Sequence, residues 1–418
     1  MTSSSLFSFF LFFWQCEQRL WHQLSLLLEE CVGDAGFQRI PGLLVDMYTN
    51  FVLPFALRLN ALKLAQIAVK VSQQHAQSQQ AIEFLEGTKA LLNDAGAGSS
   101  SSSGAGASKG DEDEEEGSPQ KEEVDTEPTL FLKMSIGQLF LQSGSTDKAS
   151  DLMDLGIKML DRMEDVDPTV TASVYSLSSQ YHKVSRAQGV RVRSRRSRGA
   201  DSPPSTLFHS QVHRNFDEFY KSSLLYLAYV TTEDLPADFR LALAVDISLA
   251  ALLGEGVFNF GELLLHPIVQ SLVGTEYEWL HALLKCFNKG DMQAYDMVCD
   301  RYSSALNRQP EMVKKADALR NKITLLCLVE YLFSLPPDSR SVPLDEIAAR
   351  AKLGSREAAE AVIIQAMARG MVKGMINQVS GVVAVTWVQP RVLTHDQVQG
   401  LATRLEGWAQ KVKEIEIM

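Results

Sequence analysis

The residues that could do chemistry are few and poorly placed for it. Residues 106–110 read GASKG, which fits the Gly-x-Ser-x-Gly string of a nucleophile elbow, where a tight strand-to-helix turn exposes a serine hydroxyl. Here the string lies in a Gly/Ser-rich tract with no strand or helix pattern around it, so it is a chance match. His209 and His213 stand four residues apart, a spacing that puts two imidazoles on one helix face, but no glutamate follows His209 and no third ligand is at hand. The eight histidines include no H-x-H pair with downstream carboxylates, so a zinc isopeptidase has no ligand set. No P-loop and no dinucleotide fingerprint occurs. The five cysteines, Cys16, Cys31, Cys286, Cys299 and Cys327, form no C-x-x-C pair. They read as thiols acting as small hydrophobes in a reducing compartment. No catalytic residue, cofactor or metal is expected.

The elements themselves therefore have to carry the function, through what they present to other molecules. At 418 residues and 45% hydrophobic content, the chain can hold two or three domains with cores of their own. The formal charge of −11 is unevenly placed. Residues 94–128 hold eleven acidic side chains and two lysines (−9), and residues 188–212 hold five arginines and one aspartate (+4). The remaining −6 is an ordinary solvated balance that asks for neither a nucleic-acid nor a membrane partner. The apolar run at 6–14 is too short to span a bilayer, has no basic residue before it, and lacks a small-residue cleavage site. It reads as an irregular extension over residues 1–14 of a soluble protein.

Two low-complexity stretches interrupt a helical pattern. The Gly/Ser/acidic linker at 94–128 and the basic insertion at 188–212 cannot bury enough apolar surface to offset their ordering entropy, so both are expected to be disordered. The arginine run at 191–198 suits a nuclear-localisation or nucleic-acid patch in composition, but a solvated loop is the favoured reading. Residues 15–93, 129–187 and 213–336 read as helix after helix. In residues 145–163, Leu152, Leu155, Met159 and Met163 fall on one face, with Ser145 or Asp147 as cap. In residues 280–298, Gly290 is a left-handed stop and Asp291 caps the next helix. No repeat recurs at a fixed 34-residue period, so the α-solenoid assignment rests on pattern.

Residues 337–393 change texture. A short helix carries Leu344, Ile347, Ala348 and Ala351 inward, and a turn at Leu353-Gly354 leads to a second helix. Ser355 caps that helix, Ala359, Val362, Ile363, Ala366 and Met367 line one stripe, and Gly370 ends it. Two strands follow, with Ser380-Gly381 as a two-residue turn. Helix, turn, helix and hairpin make a winged helix. From Asp338 to the end there are ten basic and nine acidic residues, without the cationic footprint that binding to phosphates needs. The second strand, VVAVTWV, places Val383, Val385 and Trp387 on one face, an apolar surface suited to burial or to pairing with another subunit. The last segment, 394–418, repeats Val398, Leu401, Leu405, Trp408, Val412 and Ile415 at steps of 3, 4, 3, 4 and 3. That is an a/d seam, which favours partner helices over folding back on its own domain.

These residues carry a resemblance. An α-solenoid running into a winged helix is the architecture of PCI domains. The strings LLGEGVFNFGELLLHPIVQSL (252–272), MVKGMINQV (371–379), VTWVQPRVL (385–393) and LWHQLSLLLEE (20–30) look like a PCI-domain subunit of the proteasome regulatory-particle lid. The resemblance covers roughly residues 15–93, 128–187 and 213–418. It implies a mainly α chain: a right-handed α-solenoid of helix–turn–helix repeats, a winged-helix (PCI) module and a C-terminal helix. It also implies a non-catalytic scaffold in a hetero-oligomer of the cytoplasm and nucleus, supporting ubiquitin-dependent degradation. The wing edge around Val383–Val388 would face a neighbouring PCI subunit, and the Val398–Ile415 seam would join the lid's helical bundle. The alternatives are a nucleic-acid-binding PCI protein, or a PCI scaffold of the signalosome or of a translation initiation factor.

Overall fold

The structure, a computed structural model, describes residues 19–34, 37, 40, 42–75, 77–99, 126–163, 165–188, 204–233, 235–335, 340–389 and 395–416. The opening apolar run, the GASKG string, the acidic block and the arginine run lie outside the described residues. The chain forms two compact units. One is built from the described residues up to 188 together with 225–230, the other from 204–224 and from 231 onward.

In the first unit, α1 (Trp21–Gly33) and α2 (Leu43–Met47) lead into a π turn (Tyr48–Val52) and a 3-10 stretch (Leu53–Arg58). Pro54 has no N–H to donate four residues back, so a regular ladder cannot pass it. Helix α3 (Ala61–Ser72) starts where Asn60 Oδ1 accepts from the amides of Leu62 (2.9 Å) and Lys63 (3.3 Å). Helix α4 (Ser78–Ser99) runs past the expected boundary at 93. Then come α5 (Glu127–Gln142), α6 (Thr146–Leu160) and α7 (Pro168–Gln188).

Helix α5 is apolar nearly all round because it serves two cores. Leu132 and Ile136 pack with Leu64, Ile67 and Leu85, while Leu130 and Met134 pack with Met153, Val174 and Leu177. Consecutive helices bury their stripes on one another, which is the stacking logic of helical repeats. In α6 the buried line is Ala149, Met153 and Gly156, so the expected face of Leu152, Leu155, Met159 and Met163 is only half-buried. Close approach decides this. A Cβ at Gly156 would lie 2.7 Å from Met134 Sδ, so the smallest residue sits nearest α5. Ser145 occupies the N-cap position without a side-chain hydrogen bond there.

Helix α8 (Pro204–Tyr229), whose residues 204–224 belong to the second unit, begins with proline at its first position, where a missing N–H costs nothing. It covers 204–212, which the sequence reading placed in a disordered insertion. Helices α9 (Ala237–Leu253), α10 (Gly261–Leu265), α11 (Glu278–Lys289), α12 (Met292–Arg301), α13 (Ser303–Asn307), α14 (Pro310–Lys314) and α15 (Ala316–Ser334) follow. Gly290 ends α11 at φ +63°, and a Cβ there would stand 2.9 Å from Leu326 O, so both its backbone and its neighbour require glycine. Asp291 then caps α12 through the amides of Gln293 (2.9 Å) and Ala294 (3.1 Å).

The winged helix comprises β1 (Ser341–Pro343), α16 (Leu344–Arg350), α17 (Arg356–Ala368), β2 (Val372–Asn377) and β3 (Val382–Val388). Ser355 Oγ accepts from Ala358 N at 3.2 Å, as expected of the cap. The sheet has three antiparallel strands in the order β1-β3-β2, one more than the sequence indicated. The hairpin turn spans residues 378–381 rather than two residues. Gly381 N–H donates to Asn377 O (2.8 Å), and Asn377 Oδ1 accepts from Val379 (3.1 Å) and Ser380 (3.2 Å). In the helix–helix turn Lys352 takes the left-handed conformation (φ 51°). The module's core includes Leu325, Leu328, Val329 and Leu332 of α15, so the last long helix of the repeats is also a wall of the winged helix. The final element is α18 (His395–Glu416).

Candidate protein-interaction site

The hairpin's apolar residues divide into two groups. Val383 and Val385 lie in the winged-helix core with Ile363, Val342 and Val388. Trp387 does not share their face. The register slips between Lys373 and Gly374, so Trp387 pairs with Lys373 while Val385 pairs with Gly374, and the inward position passes to Val388. Trp387 is therefore 39% exposed, with Lys373 Nζ 5.1 Å from its ring centroid. Met375 and Val379 of the same hairpin are also exposed. Nor is the edge of β3 open over 382–384, because β1 pairs with it there and β2 occupies its other side. The hairpin thus offers Trp387 and the outer side of β2.

Helix α18 is the opposite case. Every residue from Val398 to Gln410, and Val412 and Lys413, is exposed. Val398, Leu401, Leu405, Trp408 and Val412 range from 47% to 67% exposure. The side chain of Ile415 lies outside the described residues. Gly400 and Gly407, each costing about 1 kcal/mol of helix propensity relative to alanine, have nothing within 4 Å of a would-be Cβ. In this 22-residue helix the described seam side chains make no core, so they have no packing within the chain to hold them.

A buried charge beneath the winged helix escaped the sequence reading. Lys322 on α15 is 5% exposed. Its Nζ donates to the carbonyls of Ala251 (2.7 Å), Leu252 (3.1 Å) and Gly254 (2.6 Å), the last turn and cap of α9, where a cation complements the helix dipole. The rings of Phe260 and Phe258 lie 5.1 and 5.6 Å away. On α8, Asp217 accepts from Gly256 N at 3.2 and 3.1 Å through its two oxygens. Burial pushes Lys322 down to about 7 and Asp217 up, against the Gly256 amide and the Lys322 charge. Three accepting carbonyls suit the ammonium, since a neutral amine has only two hydrogens to give. The string GEGVFNF at 254–260 is thus a lysine receptor. The available signals were that glycine-rich string and a lone lysine in the apolar run NKITLLCLVEYLF.

The candidates for chemistry stay apart. His209 and His213 fall on α8, but their side chains lie outside the described residues. Among the described residues no group of three or more His, Cys, Asp or Glu could hold a metal ion. The thiols of Cys31, Cys286, Cys299 and Cys327 are all raised by burial, which makes them poor nucleophiles.

Comparison with known proteins fits this geometry. The family model for PSD13 N-terminal repeats matches residues 9–188 and 206–284, and that for the PCI domain matches residues 294–387. The chain is 37% identical over 396 residues to 26S proteasome non-ATPase regulatory subunit 13 homolog B of Arabidopsis thaliana, covering 95% of this chain and 88% of that protein. It is 28% identical to the probable 26S proteasome regulatory subunit rpn9 of Schizosaccharomyces pombe, covering 96% and 87%. It is 27% identical to the 26S proteasome regulatory subunit RPN9 of Saccharomyces cerevisiae, covering 96% and 88%.

Proposed function

The chain belongs to the family of 26S proteasome non-ATPase regulatory subunit 13, and on that premise we propose that it is a non-catalytic structural subunit of the regulatory-particle lid. It supports ubiquitin-dependent protein degradation by holding neighbouring subunits in place. The observation that carries this reading is the bare seam of α18, exposed from Val398 to Val412. Such a stripe gains stability by burial against helices of other chains, so Val398, Leu401, Leu405, Trp408 and Val412, with Ile415 by register, enter a helical bundle in a hetero-oligomer.

The hairpin makes a second contact, with a neighbouring PCI-domain subunit. Trp387 and the outer side of β2 meet the partner, while Val383 and Val385 hold the sheet rigid from beneath. The reading assigns no cofactor, nucleic acid or membrane to the chain. Ten basic residues against nine acidic from Asp338 onward leave no cationic surface for phosphates, and no described helix is long and apolar enough to cross a membrane. Its place of work is the cytoplasm and nucleus.

The test is incorporation of tagged full-length chain in its own cells. The double variant Leu405→Asp, Trp408→Asp is expected to lose recovery of proteasomal ATPases and other lid subunits, and Trp387→Ser to reduce it less. Wild-type recovery by the double variant would contradict the assignment.

A further inference from the structure

Residues 254–260, GEGVFNF, join α9 to α10 with no helix or strand of their own, and the second unit holds them from two sides. Helix α8 grips one side. Asp217 accepts from Gly256 N (3.2 and 3.1 Å). Tyr220, three residues on and so on the same helix face, donates its hydroxyl to Asn259 O (3.4 Å). A Cβ at Gly254 would run into Asp217 Oδ1, and one at Gly256 would stand 2.9 Å from Oδ2, so the carboxylate reaches the backbone because both positions are glycine. Helix α15 grips the other side through Lys322 Nζ, which donates to the carbonyls of Ala251, Leu252 and Gly254. The charges of Asp217 and Glu255 favour the ammonium there. From a string held in this way, Phe258 packs against the core of the winged helix. Among the described residues it is the one member of that core from before α15, since all the others come from residue 325 onward. Its ring centroid lies 5.6 Å from Lys322 Nζ and 5.4 Å from the guanidinium of Arg369, just past the end of α17. A cation of the repeats' last long helix and a cation of the winged helix thus share one ring.

We propose that the GEGVFNF string is a latch that fixes the winged helix on the repeats, with Phe258 as its bolt and Asp217, Tyr220 and Lys322 as positioning residues that hold the bolt in line. Helix α15 also links the two parts, and so does the exposed Lys352–Asp296 pair (2.8 Å). A wall made of one helix resists tilting about its own axis poorly, however, and an exposed ion pair adds little. Phe258 enters from a different element, off that axis, and so blocks the tilt. Its seat is built from α8 and α15 together, so a change on α8 reaches the winged helix through the string. The latch bears on the scaffold role proposed above by fixing the direction of Trp387 and the outer side of β2. Its test uses the free chain, so the failure of one leaves the other standing.

The test is amide hydrogen exchange of the full-length free chain in native buffer, where local opening outweighs global unfolding. Two stretches are followed, 254–260 and 366–372, the latter spanning the end of α17 and the start of β2. Phe258→Leu keeps apolar bulk but loses the ring that the two cations face, and Phe258→Tyr keeps the ring. The leucine variant is expected to speed exchange in both stretches about tenfold or more, with α5, α6 and α7 unchanged, and the tyrosine variant to match the wild type. Asp217→Ala lies outside the winged helix, yet it is expected to speed 366–372 as well, because the string no longer holds its bolt in line. Unchanged exchange at 366–372 in either Phe258→Leu or Asp217→Ala would overturn the proposal. So would equal acceleration throughout the second unit, α9 and α12 included, which marks a general loss of stability and not the release of a latch.

Discussion

Strand β3 and helix α18 carry apolar stripes a few residues apart, and their surroundings are opposite. In β3, Val383 is fully buried among α15, α16 and α17. In α18, Leu405 is 53% exposed and Trp408 67%. Hydrophobicity does not separate them. The strand sits between two others and over α17, so its valines are covered by elements of the same module. The helix follows a completed module, and its described seam side chains are exposed. An apolar stripe therefore points to a partner only when the chain's own elements are already accounted for.

Five variants sharpen that contrast, the largest expected effect first, set beside its exposed counterpart. Val383→Asp buries a charge in the module's core and should cost at least about 3 kcal/mol of stability. Leu405→Asp in the free chain should stay within about 0.5 kcal/mol, as exposed positions do. Denaturant midpoints of the two variants check the pair, and equal losses would erase the distinction. Lys322→Met leaves three carbonyls of the 251–254 turn without their donor and should cost about 2 kcal/mol, the loss being tempered by the charge no longer buried.

The pH dependence of that variant carries a definite sign. Lys322 is lowered in the folded chain to about 7 from its ordinary 10.5, so between those values the unfolded chain binds the extra proton. Wild-type stability should therefore gain a component that rises with pH from about 7 toward 10.5, and Lys322→Met should lack it. Below pH 7 both states hold the proton and the component is flat. Melting curves across that range decide the point.

Asp291→Ala removes the cap of α12 and should cost about 1 kcal/mol, read from the same melts. The smallest effect is expected from Gly400→Ala with Gly407→Ala. Each relieves about 1 kcal/mol of propensity in α18 alone, raising the helix content of the free chain by circular dichroism without moving the global midpoint.

The sequence already carried the elements whose determinants are local. Ser355, Gly370, Gly290 and Asp291 each act within a turn or two of their own position, and the seam is a matter of spacing along a single helix. What it hid depends on distant partners. Strand β1 is three residues long and ends in proline, so it has no alternation to detect and exists because β3 receives it. The slip at Lys373/Gly374 leaves the pattern of VVAVTWV unbroken, and Trp387 was consequently placed on the wrong face. The partners of Lys322 are hidden for the same reason, because its carbonyls lie 68 to 71 positions earlier in the chain.

The measurement that bears most directly on the central claim is amide hydrogen exchange over residues 395–416, in the free chain and in the assembled regulatory particle. The account predicts rapid exchange in the free chain, where no packing holds α18, and strong protection in the particle, with the winged-helix strands protected in both. Equal exchange of α18 in the two states would mean that no partner covers the seam, and would contradict the claim.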